Sequence, residues 1–272
     1  MTTAPAPVGM PILENMQVGI MPADGSYHIR VEPIAKRIRA FVDDVAIADS
    51  TRTLMMWESG RLCLYYFPID DVRTDLLSAS GTVVPSAHKG DATYYSVTVG
   101  ERMIDDAAWR YLAPAAGTPE VAGYIAFHWK YMDHWFEEDE EVFVHARNPY
   151  HRIDVVPSSR RVEVIVDGKT VADTKNAMFL FETSLPPRYY IPKEDIRFEL
   201  LQPSKLQTGC TYKGPTSAYW SATGSHRPLA WCYETPWPEV AKIAGRVAFF
   251  NERADAIRVD GVTQSKPLTP WS

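Results

Sequence analysis

The feature that most constrains this chain is an internal repeat. Residues 37–50, RIRAFVDDVAIADS, and residues 161–174, RVEVIVDGKTVADT, match at an offset of 124. The offset holds without a gap for more than forty further positions. Glu58 meets Glu182, Tyr65-Tyr66-Phe67-Pro68 meets Tyr189-Tyr190-Ile191-Pro192, and Asp71 and Arg73 meet Asp195 and Arg197. Leu76-Leu77 meets Leu200-Leu201, Lys89-Gly90 meets Lys213-Gly214, and Tyr95 meets Tyr219. The offset then drifts to 122, where Trp109-Arg110-Tyr111 meets Trp231-Cys232-Tyr233 and AGYIAF at 122–127 meets AGRVAF at 244–249. One register kept through turns, strands and aromatic motifs marks two tandem copies of one domain, each of about 110 residues. The expected layout is a flexible lead-in at 1–27, a first domain at 28–130, an acidic connector at 131–150, a second domain at 151–265 and a tail at 266–272.

Each copy reads as mainly β, a small antiparallel domain, barrel-like or bent into a β-tent, with few short helices. Val162, Val164 and Val166 alternate with Glu163, Ile165 and Asp167, the period of a half-buried strand. Asp167-Gly168 supplies turn chemistry for a hairpin, and Asp43-Asp44 is a poorer version of it. LMMW at 54–57, MFLF at 178–181 and RVAFF at 246–250 read as further strands, and Pro186-Pro187 as a loop or edge. Helical expectations are confined to 104–111, 130–141 and a turn at 238–244.

Composition narrows the function classes. The 272 residues carry 28 Lys+Arg against 34 Asp+Glu, a formal charge of −6 that makes the phosphate backbone of a nucleic acid a poor main partner. A hydrophobic share of 46% is enough for folded cores. Three cysteines, Cys63, Cys210 and Cys232, argue against a disulfide framework and for a reducing compartment. No apolar run approaches the roughly 20 residues of a membrane span, and the N-terminus has no basic-then-apolar leader. A cytoplasmic protein with no membrane or nucleic-acid partner is expected. A homodimer is an open assembly state. The acidic run Glu137-Glu138-Asp139-Glu140-Glu141 reads either as a cation site or as a solvated face, and the second fits carboxylates that repel each other so close in sequence.

The Glu–Tyr-Tyr-x-Pro block, Cys210-Thr211-Tyr212-Lys213-Gly214, the Trp-x-Tyr block and GRVAFFNE at 245–252 resemble the family called domain of unknown function 427, labelled a nucleotidyltransferase in some collections. The connector WFEEDEEVFVH at 135–145 followed by PYHRID at 149–154 is similar to its tandem form. The resemblance covers nearly the whole chain after about residue 28. It implies a mostly β domain related to the β-tent folds, some of which hold a structural zinc and others a ligand in an aromatic cage. It implies no established reaction. Thr211 stands where the family usually has proline, and the first copy, SAHKG at 86–90, lacks both Cys and Tyr.

The residues themselves offer no C-x-x-C, no H-E-x-x-H, no phosphate-binding glycine loop and no spaced acidic pair, so no metal and no cofactor is expected. What repeats is a Lys/Glu/Tyr set with aromatic company. Glu182, Tyr189, Tyr190, Lys213, Tyr219, Trp231 and Tyr233 form it in the second copy, and Glu58, Tyr65, Tyr66, Lys89, Tyr95, Trp109 and Tyr111 in the first. A lysine desolvated among tyrosines has its pKa lowered toward neutrality and becomes a base or a Schiff-base nucleophile. Glu orients it or takes a proton, Tyr supplies one, and the rings hold a planar or cationic small molecule. Cys210, His88 and His128 join the candidates, the histidines because they replace Tyr212 and Phe250 of the other copy. The competing reading is structural: a Lys–Glu bridge capped by tyrosines that serves folding alone, with Tyr65, Tyr189 and the Trp-x-Tyr pairs as core. The reading favoured is a small-molecule enzyme of lyase or hydrolase type. A non-catalytic binding or interaction module and a nucleotidyltransferase are the alternatives.

Overall fold

The computed structural model describes residues 25–269 and 272. The expected lead-in therefore lies almost entirely outside the described residues. The chain divides into two compact units that meet between Arg147 and Asn148, and each is mainly β.

The first unit contains β1 (Ile29–Pro33), β2 (Ile38–Val42), β3 (Val45–Ser50), β4 (Leu54–Glu58), β5 (Leu64–Pro68), β6 (Leu77–Val84), β7 (Ala92–Val99), β8 (Arg102–Tyr111), β9 (Tyr124–Phe127), β10 (His134–Glu137) and β11 (Glu140–Glu141). They form a seven-stranded sheet, β1-β4-β5-β9-β8-β7-β6, and a four-stranded sheet, β11-β10-β2-β3. The second unit contains β12 (Ile153–Ser158), β13 (Val162–Val166), β14 (Lys169–Thr174), β15 (Ala177–Glu182), β16 (Arg188–Ile191), β17 (Leu201–Ser204), β18 (Gly209–Cys210), β19 (Gly214–Pro215), β20 (Ala218–Ala222), β21 (Pro228–Cys232), β22 (Val247–Phe249), β23 (Ala256–Val259) and β24 (Val262–Thr263). Its large sheet runs β12-β15-β16-β22-β21-β20-β17, strand for strand the order of the first. Its smaller sheets are β14-β13-β23-β24 and the pair β18-β19. The two large sheets show the repeat as architecture.

The expected hairpin is present in both copies. Asp167 and Gly168 take φ of 49° and 69°, and Asp43 takes 49°, the left-handed region a tight turn needs. The expected helix at 104–111 is instead part of β8. Asp106 at φ 50° sits where the β7–β8 register shifts, and this bulge breaks the period-two signal. The expected helix at 130–141 is a single 3-10 turn, Trp129–Tyr131, followed by β10 and β11. The turn at Pro238–Ile243 is also 3-10.

Strands β10 and β11 correct the connector boundary. β10 pairs with β2, so His134–Glu141 completes the first unit's small sheet, as β23 does against β13 in the second. Four of the five acidic residues of the run each have a basic side-chain partner, and Glu138 has a backbone donor. Glu137 takes Lys36, the Glu138 carboxylate accepts the Arg37 backbone N–H, Asp139 takes Arg39, Glu140 takes Arg147 and Glu141 takes His134.

Because side chains alternate along a strand, each large sheet buries two different sets. In the first unit Ile38, Phe67, Ile125 and Trp135 belong to the core shared with the small sheet. Met56, Tyr66, Trp109, Tyr111 and Ala126 form a second cluster on the other face. In the second unit Val164, Phe179, Tyr189 and Phe249 lie in the shared core, and Tyr190, Tyr219, Trp231, Tyr233 and Phe250 in the other cluster. The candidate sites lie on these second faces. All three cysteines are free, and burial pushes the Cys63 and Cys232 thiols up to about 12, as inert core thiols. Among the described residues no helix is long and apolar enough to cross a membrane.

Candidate functional site

In the second unit Glu182 closes β15 and Lys213 lies in the turn between β18 and β19. The Lys213 ammonium donates to both carboxylate oxygens, 2.7 Å to Oε1 and 2.6 Å to Oε2. Both side chains are buried. Burial alone would neutralise the pair, but Lys213 and His151 outweigh it and hold the Glu182 carboxyl down at about 2. Burial also opposes the Lys213 charge, but its charged surroundings, with the bidentate Glu182 carboxylate at 2.7 and 2.6 Å, outweigh it, so Lys213 sits above the ordinary lysine range. This corrects the expectation of a lysine tuned toward neutrality. At neutral pH Lys213 is a fixed cation with no lone pair to offer.

The titratable group the sequence missed is His151. Its Nε2 meets Glu182 Oε1 at 3.0 Å, and its ring stacks on Tyr212 with centroids 4.0 Å apart and planes 11° from parallel. The Tyr212 hydroxyl accepts the Asn148 backbone N–H at 2.8 Å, which anchors the chain just ahead of the histidine. Glu182 stays ionised, so the assigned tautomer has Nε2 donating to it, and the Nδ1 lone pair is left as the ring's basic position.

Around this array Trp231 Nε1 donates to the Tyr190 hydroxyl at 3.3 Å, and Tyr219 exchanges a hydrogen bond with Thr208 at 2.7 Å. Burial raises the phenols of Tyr190, Tyr219 and Tyr233, which are therefore neutral donors. Gly214 takes φ 94°, the left-handed region that favours glycine, in the turn that carries Lys213, and the Trp237 ring lies in contact range of this position.

In the first unit Lys89 pairs with Glu58, and both are buried. The outcome for the lysine differs: burial lowers the Lys89 pKa and Glu58 only partly offsets it. The second cation on Glu58 is Arg61, whose Nε lies 3.2 Å from Oε1. The position matching His151 at offset 124 is Tyr27, and it stacks on His88, the match of Tyr212, at 3.8 Å and 15°. The stacked pair is kept and its two rings have changed places.

Other expected site residues separate. Tyr65 and Tyr189 face the shared cores, not the site clusters. The Tyr65 hydroxyl donates to the buried Glu137 at 2.5 Å, and Tyr189 packs edge-on to Phe179. Tyr95 also packs on the shared core, and it is Tyr94 that pairs across the ladder with Trp109, as Tyr219 does with Trp231. A one-residue difference along β7 puts the neighbouring tyrosine on the site face. His128 lies on the Trp109 ring at 4.6 Å and near Tyr94 at 5.9 Å. In the second unit Phe250 covers Trp231 at 4.5 Å, with the Arg188 guanidinium 5.7 Å from the same ring. Arg188 forms a bidentate bridge to the buried Glu252 and bonds Asn251 at 3.1 Å. The Trp faces that could cage a ligand are thus covered in both units by the chain's own rings and, in the second, by an arginine. Arg188, Asn251 and Glu252 carried no pairing signal in the sequence. Among the described residues no three His, Cys, Asp or Glu side chains are grouped to hold a metal ion.

The model of one family, a domain of unknown function (DUF427), matches the chain twice, over residues 30–138 and 154–260. The chain belongs to this family and is a tandem member of it. The first match extends through β10, which agrees with the assignment of that strand to the first unit. No curated protein matches the chain.

Proposed function

We propose that the second unit acts on a small molecule by acid–base chemistry, with His151 as the proton-carrying group. The supporting observation is the ordered array Lys213–Glu182–His151. Lys213 keeps the carboxylate ionised and immobile, and the carboxylate orients the imidazole through Nε2. A carboxylate that fixes a histidine tautomer and stabilises its protonated form is the arrangement general-base catalysis uses. Lys213 is a positioning residue in this reading, and Tyr190 and Tyr233 are neutral hydrogen-bond donors on the same face. The reaction class remains of lyase or hydrolase type, with a deprotonation or an activated water at Nδ1.

The test is turnover of a small-molecule extract, followed by mass spectrometry before and after incubation with the full chain. Wild-type protein depletes at least one species, and His151→Gln, melting at the wild-type temperature, leaves it intact. Identical profiles for the two proteins refute the reading.

A further inference from the structure

The reciprocal exchange of rings changes the charge of the first unit's site. In the second unit Glu182 is balanced by Lys213, and its other partner is an imidazole, which adds charge only when protonated. In the first unit Glu58 meets two basic side chains, the permanent cation Arg61 and Lys89, whose charge burial disfavours. The position of the imidazole is held by Tyr27, stacked on His88. The first site thus sets one carboxylate against two basic side chains, with no imidazole on that carboxylate.

Arg61 is the outward arm of the cluster, 64% exposed, whereas Glu58 and Lys89 are buried behind it. Lys89 also lies over the Tyr111 ring, 5.5 Å from its centroid. The Tyr66 hydroxyl is buried beside Trp109, Tyr111 and Glu58. An exposed permanent cation, a buried lysine behind it and the neutral phenol of Tyr111 beside them together suit one kind of ligand.

We propose that the first unit is a binding site for a small organic oxyanion, a carboxylate or phosphate on a planar or apolar body, held through Arg61 and Lys89 without proton transfer. This does not depend on the acid–base reading of the second unit. The two units would divide the labour, one holding an anionic group and the other moving protons.

The experiment is calorimetric titration of the full chain with sodium benzoate and, separately, with inorganic phosphate. Wild-type protein binds benzoate. Arg61→Glu, at an exposed position that leaves the core untouched, weakens that binding by about tenfold or more, the scale of one charge-assisted hydrogen bond. His151→Gln leaves it within about twofold by the same measure. Phosphate binding tighter than benzoate, with the same loss in Arg61→Glu, assigns the oxyanion as a phosphate. No heat from either salt up to its solubility limit overturns the proposal, and so does wild-type affinity in Arg61→Glu. Loss of binding in His151→Gln alone also overturns it, by moving the anion site to the second unit. Failure of the acid–base reading is separate: it shows as unchanged turnover in His151→Gln and leaves the titrations as they are.

Discussion

Replacing Glu182 by glutamine keeps the shape of the side chain and removes its charge, so Lys213 is left as a buried ammonium facing a neutral amide. Two estimates give the size of the effect. The carboxyl is held at about 2 against an ordinary value of 4.5, and at roughly 1.4 kcal/mol per pKa unit that is a contribution on the order of 3 kcal/mol at neutral pH. Breaking a buried pair by removing one partner costs about 3–5 kcal/mol in other proteins. Urea unfolding of the full chain, followed by tryptophan fluorescence, should therefore show the second unit's transition weakened by about 3–5 kcal/mol. The double variant Glu182→Gln/Lys213→Met removes both charges and should recover most of that loss. The pH dependence has a defined sign. The folded-state pKa lies below the unfolded value, so the stabilisation is complete above about 4.5 and is lost as pH falls from there toward about 2. The gap between wild type and Glu182→Gln should close across that window. A Glu182→Gln protein within 1 kcal/mol of wild type at neutral pH would refute the account.

Glu58→Gln in the first unit should cost less, about 1–2 kcal/mol by the same urea assay, because burial already lowers the Lys89 pKa and the lysine can shed its proton. Gly90→Ala should cost more than about 2 kcal/mol, since φ is 86° and the new Cβ falls 2.7 Å from the Ala113 carbonyl oxygen. Gly214→Ala, at φ 94° with its nearest contact a tryptophan ring at 3.4 Å, should cost about 1–2 kcal/mol in parallel melts. Tyr65→Phe removes a donor to the buried Glu137 and should lower the first unit's stability by about 1–3 kcal/mol without touching the second.

Much of the architecture was legible because the repeat kept its register through whole strands. Ile38–Val42 and Val162–Val166 are β2 and β13, and the Lys–Glu pairing that the repeat suggested is present in both units. Proline and glycine punctuation also worked locally, as at Pro186-Pro187 between β15 and β16. The failures have identifiable causes. β8 was hidden because the bulge at Asp106 leaves Ala107, Ala108 and Trp109 buried in succession, which mimics a helical apolar run. Tyr95 rather than Tyr94 matches Tyr219 at the common offset because the first copy is one residue shorter between Lys89 and its ladder tyrosine than the second is between Lys213 and Tyr219. His151 lies ten residues ahead of the segment where the repeat first becomes obvious, and its counterpart is a tyrosine, so neither identity nor position drew attention to it. The signal was present: Tyr27 and His88 mirror His151 and Tyr212 at one common offset. The Lys213 pKa could not be judged from sequence, because its direction depends on two oxygens within 2.7 Å and not on the company of tyrosines.

The exchanged rings have a consequence for how a duplicated domain diverges. A parallel stack at about 4 Å selects for flatness and size and takes no account of what the edge of either ring carries. Imidazole and phenol both satisfy it, from either side. The packing at this spot therefore tolerates a trade that the polar contacts beside it do not, and one copy of a gene-internal duplication can gain or lose an imidazole on its buried carboxylate while the stack itself is kept. In the first unit the ring exchange Tyr27→His with His88→Tyr would have to be joined by the loss of Arg61, whose counterpart is Leu185, to give the arrangement of the second.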